Sequence, residues 1–128
     1  MSRPSRSEHV EAVTLMRVVC LHQRRHPELA LFFAVPNGGD RNVVVAGKMK
    51  AEGVRAGVPD YLLPVARQGF HGLAIELKAQ GGRASPEQRE WLANLTAAGW
   101  RAELCVGWAA AWNVLCDYLG LPREAFAA

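Results

Sequence analysis

A chain of 128 residues, 50% hydrophobic and 21% charged, has material for one buried core and for no second domain. Its 15 Lys and Arg against 12 Asp and Glu give a formal charge of +3, and that balance with that composition excludes a disordered chain while leaving a polyanionic partner open. No segment approaches the roughly 18 apolar residues of a membrane span, and the basic, polar Met1–Ser7 does not resemble a signal peptide, so a soluble cytoplasmic protein with no membrane partner is expected. Cys20, Cys105 and Cys116 are odd in number and far apart, which predicts neither a disulfide framework nor a zinc site. Each has apolar neighbours and is expected to be a buried thiol in a reducing compartment.

The single domain is expected over 7–120, with tails at 1–6 and 121–128. Ser7 caps a predicted helix whose first turn holds Glu8 and Glu11, the favourable sign at that end. Ala12, Leu15, Val18, Val19 and His22 recur at helical spacing and form its inward stripe, which runs towards Pro27. Leu29–Val35 is an apolar run of strand length, closed by the turn residues Pro36-Asn37-Gly38-Gly39. Val43–Glu52 reads as a short helix ending at Gly53.

Asp60–Ala66 and His71–Ala79 are apolar runs separated by Arg67-Gln68-Gly69-Phe70, the pattern of a β-hairpin. Ser85, Pro86 and Gln88 then open a helix with a cap, a first-turn proline and a capping box, and Gly99 ends it. Trp100–Val106 is a further strand and Trp108–Leu119 a last helix, stopped by Gly120 and Pro122. The elements assemble into an α/β fold: a central mixed β-sheet of about four strands flanked by helices on both faces.

The chemistry centres on the hairpin. Strand alternation puts Glu76 and Lys78 on one face and Ile75 and Leu77 on the other. A turn centred near Gln68 sets Asp60 across from Glu76, so two carboxylates lie within reach of one ion. Such a pair repels itself unless a proton or cation lies between, and its hard oxygen donors suit Mg²⁺ or Mn²⁺. Lys78 beside it is placed to orient water or to neutralise charge on a phosphate. Arg3, Arg6, Arg17, Arg24, Arg25, Arg41, Lys48, Lys50 and Arg55 all precede Asp60 and lend modest support to a nucleic-acid partner. His9, His22, His26 and His71 lack metal-ligand spacing, and the tryptophans at 91, 100, 108 and 112 are expected in the core.

Gly57-Val58-Pro59-Asp60, Ile75-Glu76-Leu77-Lys78 and Gln88, in that order, resemble the PD-(D/E)xK nuclease superfamily. With Ser7-Glu8-His9, Pro36-Asn37-Gly38-Gly39, Arg41 and Gly53-Val54-Arg55-Ala56-Gly57, the chain from about Ser7 to Leu119 resembles its virus-type replication-repair nuclease (VRR-NUC) branch. The resemblance implies a restriction-endonuclease-like core and a Mg²⁺- or Mn²⁺-dependent DNA endonuclease. Asp60, Glu76 and the Leu77 main-chain carbonyl become metal ligands, Lys78 the catalytic lysine and Gln88 an accessory. The first helix is implied to supply a glutamate to the catalytic and metal site. Glu8 is the preferred residue and Glu11 the alternative, whichever is left over being an exposed first-turn acid. Branched DNA such as a four-way Holliday junction is the implied substrate and a homodimer the implied assembly. The alternatives are a flap- or restriction-type nuclease with the same site, or a DNA-binding module of this fold without turnover.

Overall fold

A computed structural model describes residues 7–36 and 42–122. Along them run α1 (Glu8–His22), a 3₁₀ turn (Pro27–Leu31), β1 (Phe33–Ala34), α2 (Val43–Ala51), β2 (Tyr61–Leu63), β3 (Leu73–Lys78), α3 (Pro86–Ala97), β4 (Arg101–Val106) and α4 (Trp108–Leu119). The sheet order is β1-β2-β3-β4, antiparallel at the first two pairings and parallel between β3 and β4. A parallel pair needs a crossover, and α3 makes it. The expected α/β architecture, a mixed four-stranded sheet with flanking helices, is the one observed.

The hairpin turns where its chemistry predicts. Gln68 and Gly69 both take positive φ, 52° and 84°, the backbone of a type I′ turn, and Arg67 and Phe70 exchange main-chain hydrogen bonds of 3.2 and 2.8 Å. Tyr61 therefore pairs with Ile75 and Leu63 with Leu73, the register that carries Asp60 to Glu76. The strands are shorter than the expected 60–66 and 71–79. Pro64 has no amide to give the ladder, and beyond it only the isolated Arg67–Phe70 bridge remains. The Gln68 side-chain amide donates to the Asp117 and Tyr118 carbonyls at the end of α4 and ties the hairpin turn to the last turn of that helix.

One core fills the space between the sheet and α1 with α4. Leu73, Ile75 and Leu77 meet Leu15, Val18 and Val19 of α1 and Ala111, Trp112 and Leu115 of α4. The stripe expected of α1 is the one buried, and at its end His22 packs on Trp112 with ring centroids 4.7 Å apart. No helix among the described residues is long and apolar enough to cross a membrane.

Three expectations need correction. Leu29–Val35 is not one strand: Pro27 starts a 3₁₀ turn, and the strand is reduced to Phe33 and Ala34, which pair with Leu62 and Tyr61 of β2. Leu29 and Phe32 still reach the core from the turn. Cys105 and Cys116 are buried but Cys20 is exposed, because the helical step past Val19 carries it off the inward stripe. Of the four tryptophans only Trp112 is fully buried; Trp91, Trp100 and Trp108 are half-buried, Trp108 packed against the core. The short helix α2 forms as expected; none of its residues is buried, and Asn42 caps it by accepting from the Val45 amide at 2.8 Å. Residues 37–41, with most of the expected Pro36–Gly39 turn and with Arg41, lie outside the described residues, as do the tails except Leu121 and Pro122.

Candidate active site

The segment before β2 is bent into place by Gly57. Its φ of +85° suits glycine, and a Cβ there would stand 2.7 Å from the Glu87 Cβ, so only glycine lets the loop lie against the first turn of α3. The Trp91 indole N–H donates to the Ala56 carbonyl at 3.0 Å and pins the same loop. Buried Pro59 follows, and Asp60 emerges at the mouth of β2, where its Oδ2 accepts the Leu77 amide at 2.8 Å.

On β3, Glu76 is 1% exposed and Lys78 7%. Gln88 of α3 performs two tasks at once. Its Oε1 accepts the Ser85 amide at 2.8 Å, completing the capping box, while its Nε2 donates to Glu76 Oε2 at 3.1 Å. The capping geometry aims the amide nitrogen at the carboxylate, so the residue that caps α3 also touches Glu76. Lys78 Nζ lies 3.7 Å from Glu76 Oε2 and 3.9 Å from Glu8 Oε1, held between β3 and the exposed start of α1. The structure thus gathers Asp60, Glu76, Leu77, Lys78, Gln88 and Glu8 at one end of β3.

Glu76 Oε1 is buried without a hydrogen-bond partner. An orphaned carboxylate oxygen costs about 1–3 kcal/mol or more unless something satisfies it. The metal-free answer is a proton: burial foremost, then Asp60 by hydrogen bonding and charge, with Glu8 adding to them, push the Glu76 carboxyl up to about 8, against the opposing pull of Lys78. Contact between two carboxyl groups is a hydrogen bond only when one of them is protonated. The other answer is a cation. Asp60 and Glu76 offer hard oxygens, and strand geometry projects the Leu77 carbonyl to the same side as the amide that meets Asp60. This donor set fits Mg²⁺ or Mn²⁺, ions that take one or two carboxylates and keep water in their other positions. Among the described residues no three His, Cys, Asp or Glu side chains gather as a metal cage, so Glu8 does not join the pair in a closed cluster.

Glu11 is not the exposed first-turn acid that the sequence suggests. It is 7% exposed, and its Oε1 accepts the Trp108 amide at the start of α4 at 2.9 Å. Its partner lies 97 residues away, and no local pattern signals such a contact. Beside the site is a cleft of about 370 Å³ lined by Glu8, His9, Asp60, Tyr61 and Leu77 among others. A larger groove of about 1010 Å³ is lined by α2 and α3 with Lys50, Arg55, Gly57 and Trp91, and Gln88, which donates to Glu76, stands in its wall.

The VRR-NUC domain family model matches residues 15–109, a span that holds Asp60, Glu76, Lys78 and Gln88 and begins after Glu8. A solved structure described as a VRR_NUC domain protein is 27% identical, superposes with a TM-score of 0.76 and aligns over 93% of both chains. No curated protein matches the sequence.

Proposed function

The chain belongs to the VRR-NUC domain family and carries a nuclease-type domain, and from that premise we propose that it is a Mg²⁺- or Mn²⁺-dependent endonuclease of branched DNA such as four-way junctions. The observation that carries this reading is the carboxylate pair of Asp60 and Glu76 beside Lys78, with one buried Glu76 oxygen left for a proton or a cation. Asp60, Glu76 and the Leu77 carbonyl would hold a divalent ion, which when bound would supply Lewis acidity towards a phosphodiester and its attacking water. Gln88 holds Glu76 through Oε2 and leaves Oε1 without a hydrogen-bond partner. Lys78 holds its ammonium between Glu76 and Glu8, where it neutralises charge that builds on the phosphate as the P–O bond breaks. Glu8 positions that ammonium from α1.

Lys50 and Arg55 line the groove that has Gln88 in its wall and suit a polyanionic strand. One chain carries one such site, and a branched substrate with two strands to cut calls for a homodimer. The proposed setting is the cytoplasm. The reading is tested by incubating the protein with linear, flapped and four-way DNA, with Mg²⁺, with Mn²⁺ and with EDTA. Metal-dependent cutting that favours the four-way substrate is expected. Preference for flapped DNA would keep the chemistry and change the substrate, and no cutting of any DNA would refute the nuclease.

A further inference from the structure

Lys78 is held at its head by Glu76 and Glu8, and its main chain is held from another direction. The Gly107 amide donates to the Lys78 carbonyl at 2.8 Å, and Gly107 is the N-cap of α4. The first amides of a helix have no intrahelical partner and ordinarily take one from the N-cap side chain. Gly107 has no side chain, and its φ of +86° suits no other residue well. Glu11 fills the gap from α1 by accepting the Trp108 amide at 2.9 Å, a charge-assisted bond at the positive end of the helix dipole.

The N-terminal stretch of α1 therefore delivers two carboxylates to the same end of the sheet. Glu8 meets the ammonium of Lys78, and Glu11, one turn on, anchors the helix start whose preceding residue grips the Lys78 carbonyl. From this geometry we infer that Glu11 is a positioning residue: it clamps α1, α4 and β3 together and thereby sets where Lys78 stands relative to Glu76 and Glu8. The bond needs an acceptor oxygen and not the charge itself, so a glutamine serves and an apolar side chain does not.

Because this role rests on the nuclease reading above, one arm of the test needs no turnover. In the metal-free full chain, amide hydrogen exchange is followed at Gly107 and Trp108 in wild type, Glu11→Ala, Glu11→Gln and Val18→Ala, the last loosening α1 without touching either carboxylate. Glu11→Ala is expected to speed exchange at those two amides by about tenfold or more relative to the amide of Ile75, while Glu11→Gln leaves them protected. In the second arm, Mg²⁺-dependent cleavage of a four-way junction, Glu11→Ala is expected to lower kcat by about tenfold or more with KM unchanged. Glu11→Gln should restore kcat, and Val18→Ala should keep it. If Glu11→Ala does not fold, Glu11→Met, which keeps the length and loses the acceptor, takes its place. Unchanged exchange in the apolar variant, a glutamine that fails to rescue, or an equal loss of kcat in Val18→Ala would each overturn the role. A wild type that cuts no DNA removes the nuclease reading and the catalytic part of this role, and the exchange arm still decides whether Glu11 clamps Lys78.

Discussion

Replacing Glu76 with glutamine should make the metal-free protein more stable while destroying its activity, and the gain should grow with pH. Unfolded, the carboxyl titrates near 4.5; folded, burial and the neighbouring Asp60 carry it to about 8. Between those values the folded state holds a proton that the unfolded state has lost. Stability from this group is thus complete below 4.5 and drains away as pH rises towards 8, with a slope approaching 1.4 kcal/mol per pH unit, or about 3 kcal/mol by pH 7. A glutamine at 76 has no proton to lose, and its amide can accept from Gln88 and donate to Asp60 in the same place. Thermal unfolding followed by tryptophan fluorescence in EDTA, from about pH 5 to about pH 8, reads the gap between the two proteins. It should open from near zero to a Tm difference on the order of 10 °C at pH 7. Mg²⁺ should then raise the Tm of wild type and leave Glu76→Gln unmoved, because only the carboxylate trades its proton for the ion. A gap that stays constant across this pH range would mean that Glu76 is ionised throughout, and the burial argument would fail.

Lys78→Ala should abolish cleavage while Mg²⁺ still raises the Tm, since its ammonium is no metal ligand; loss of the Tm response would move Lys78 into the ion's shell. Glu8→Gln, which removes the carboxylate 3.9 Å from Lys78, should slow single-turnover cleavage by about tenfold or more with little change in Tm; a normal rate would take α1 out of the mechanism. Gly57→Ala forces a positive φ and a Cβ 2.7 Å from Glu87, a strain of about 1–3 kcal/mol or more that should lower both Tm and rate; an unchanged Tm would show that the loop has room to shift.

The carboxylate pair was legible because a two-residue turn leaves so little freedom. Gln68-Gly69 selects a type I′ turn, the turn sets the register, and the register brings Asp60 to Glu76. Gln88 was legible twice over, as a cap and as a motif residue, although nothing in the sequence says that one side chain can do both at once. The apolar run at 29–35 misled because apolar residues do not distinguish a strand from a 3₁₀ turn that buries Leu29 and Phe32. The role of Glu11 was invisible for a different reason. It is a contact between the first and last helices, made only after the sheet has brought them together, and the missing side chain at Gly107 is the one trace it leaves in the sequence.

Asp60 and Glu76 are proposed to hold together the ion on which DNA cleavage depends. Single-turnover cleavage of a four-way junction by wild type and by Asp60→Ala, each in Mg²⁺ and in excess EDTA, tests it most directly. Cutting by wild type in Mg²⁺ alone, with Asp60→Ala folded and inactive, is the predicted result. Cutting by wild type in EDTA, or near-normal cutting by Asp60→Ala in Mg²⁺, would contradict it.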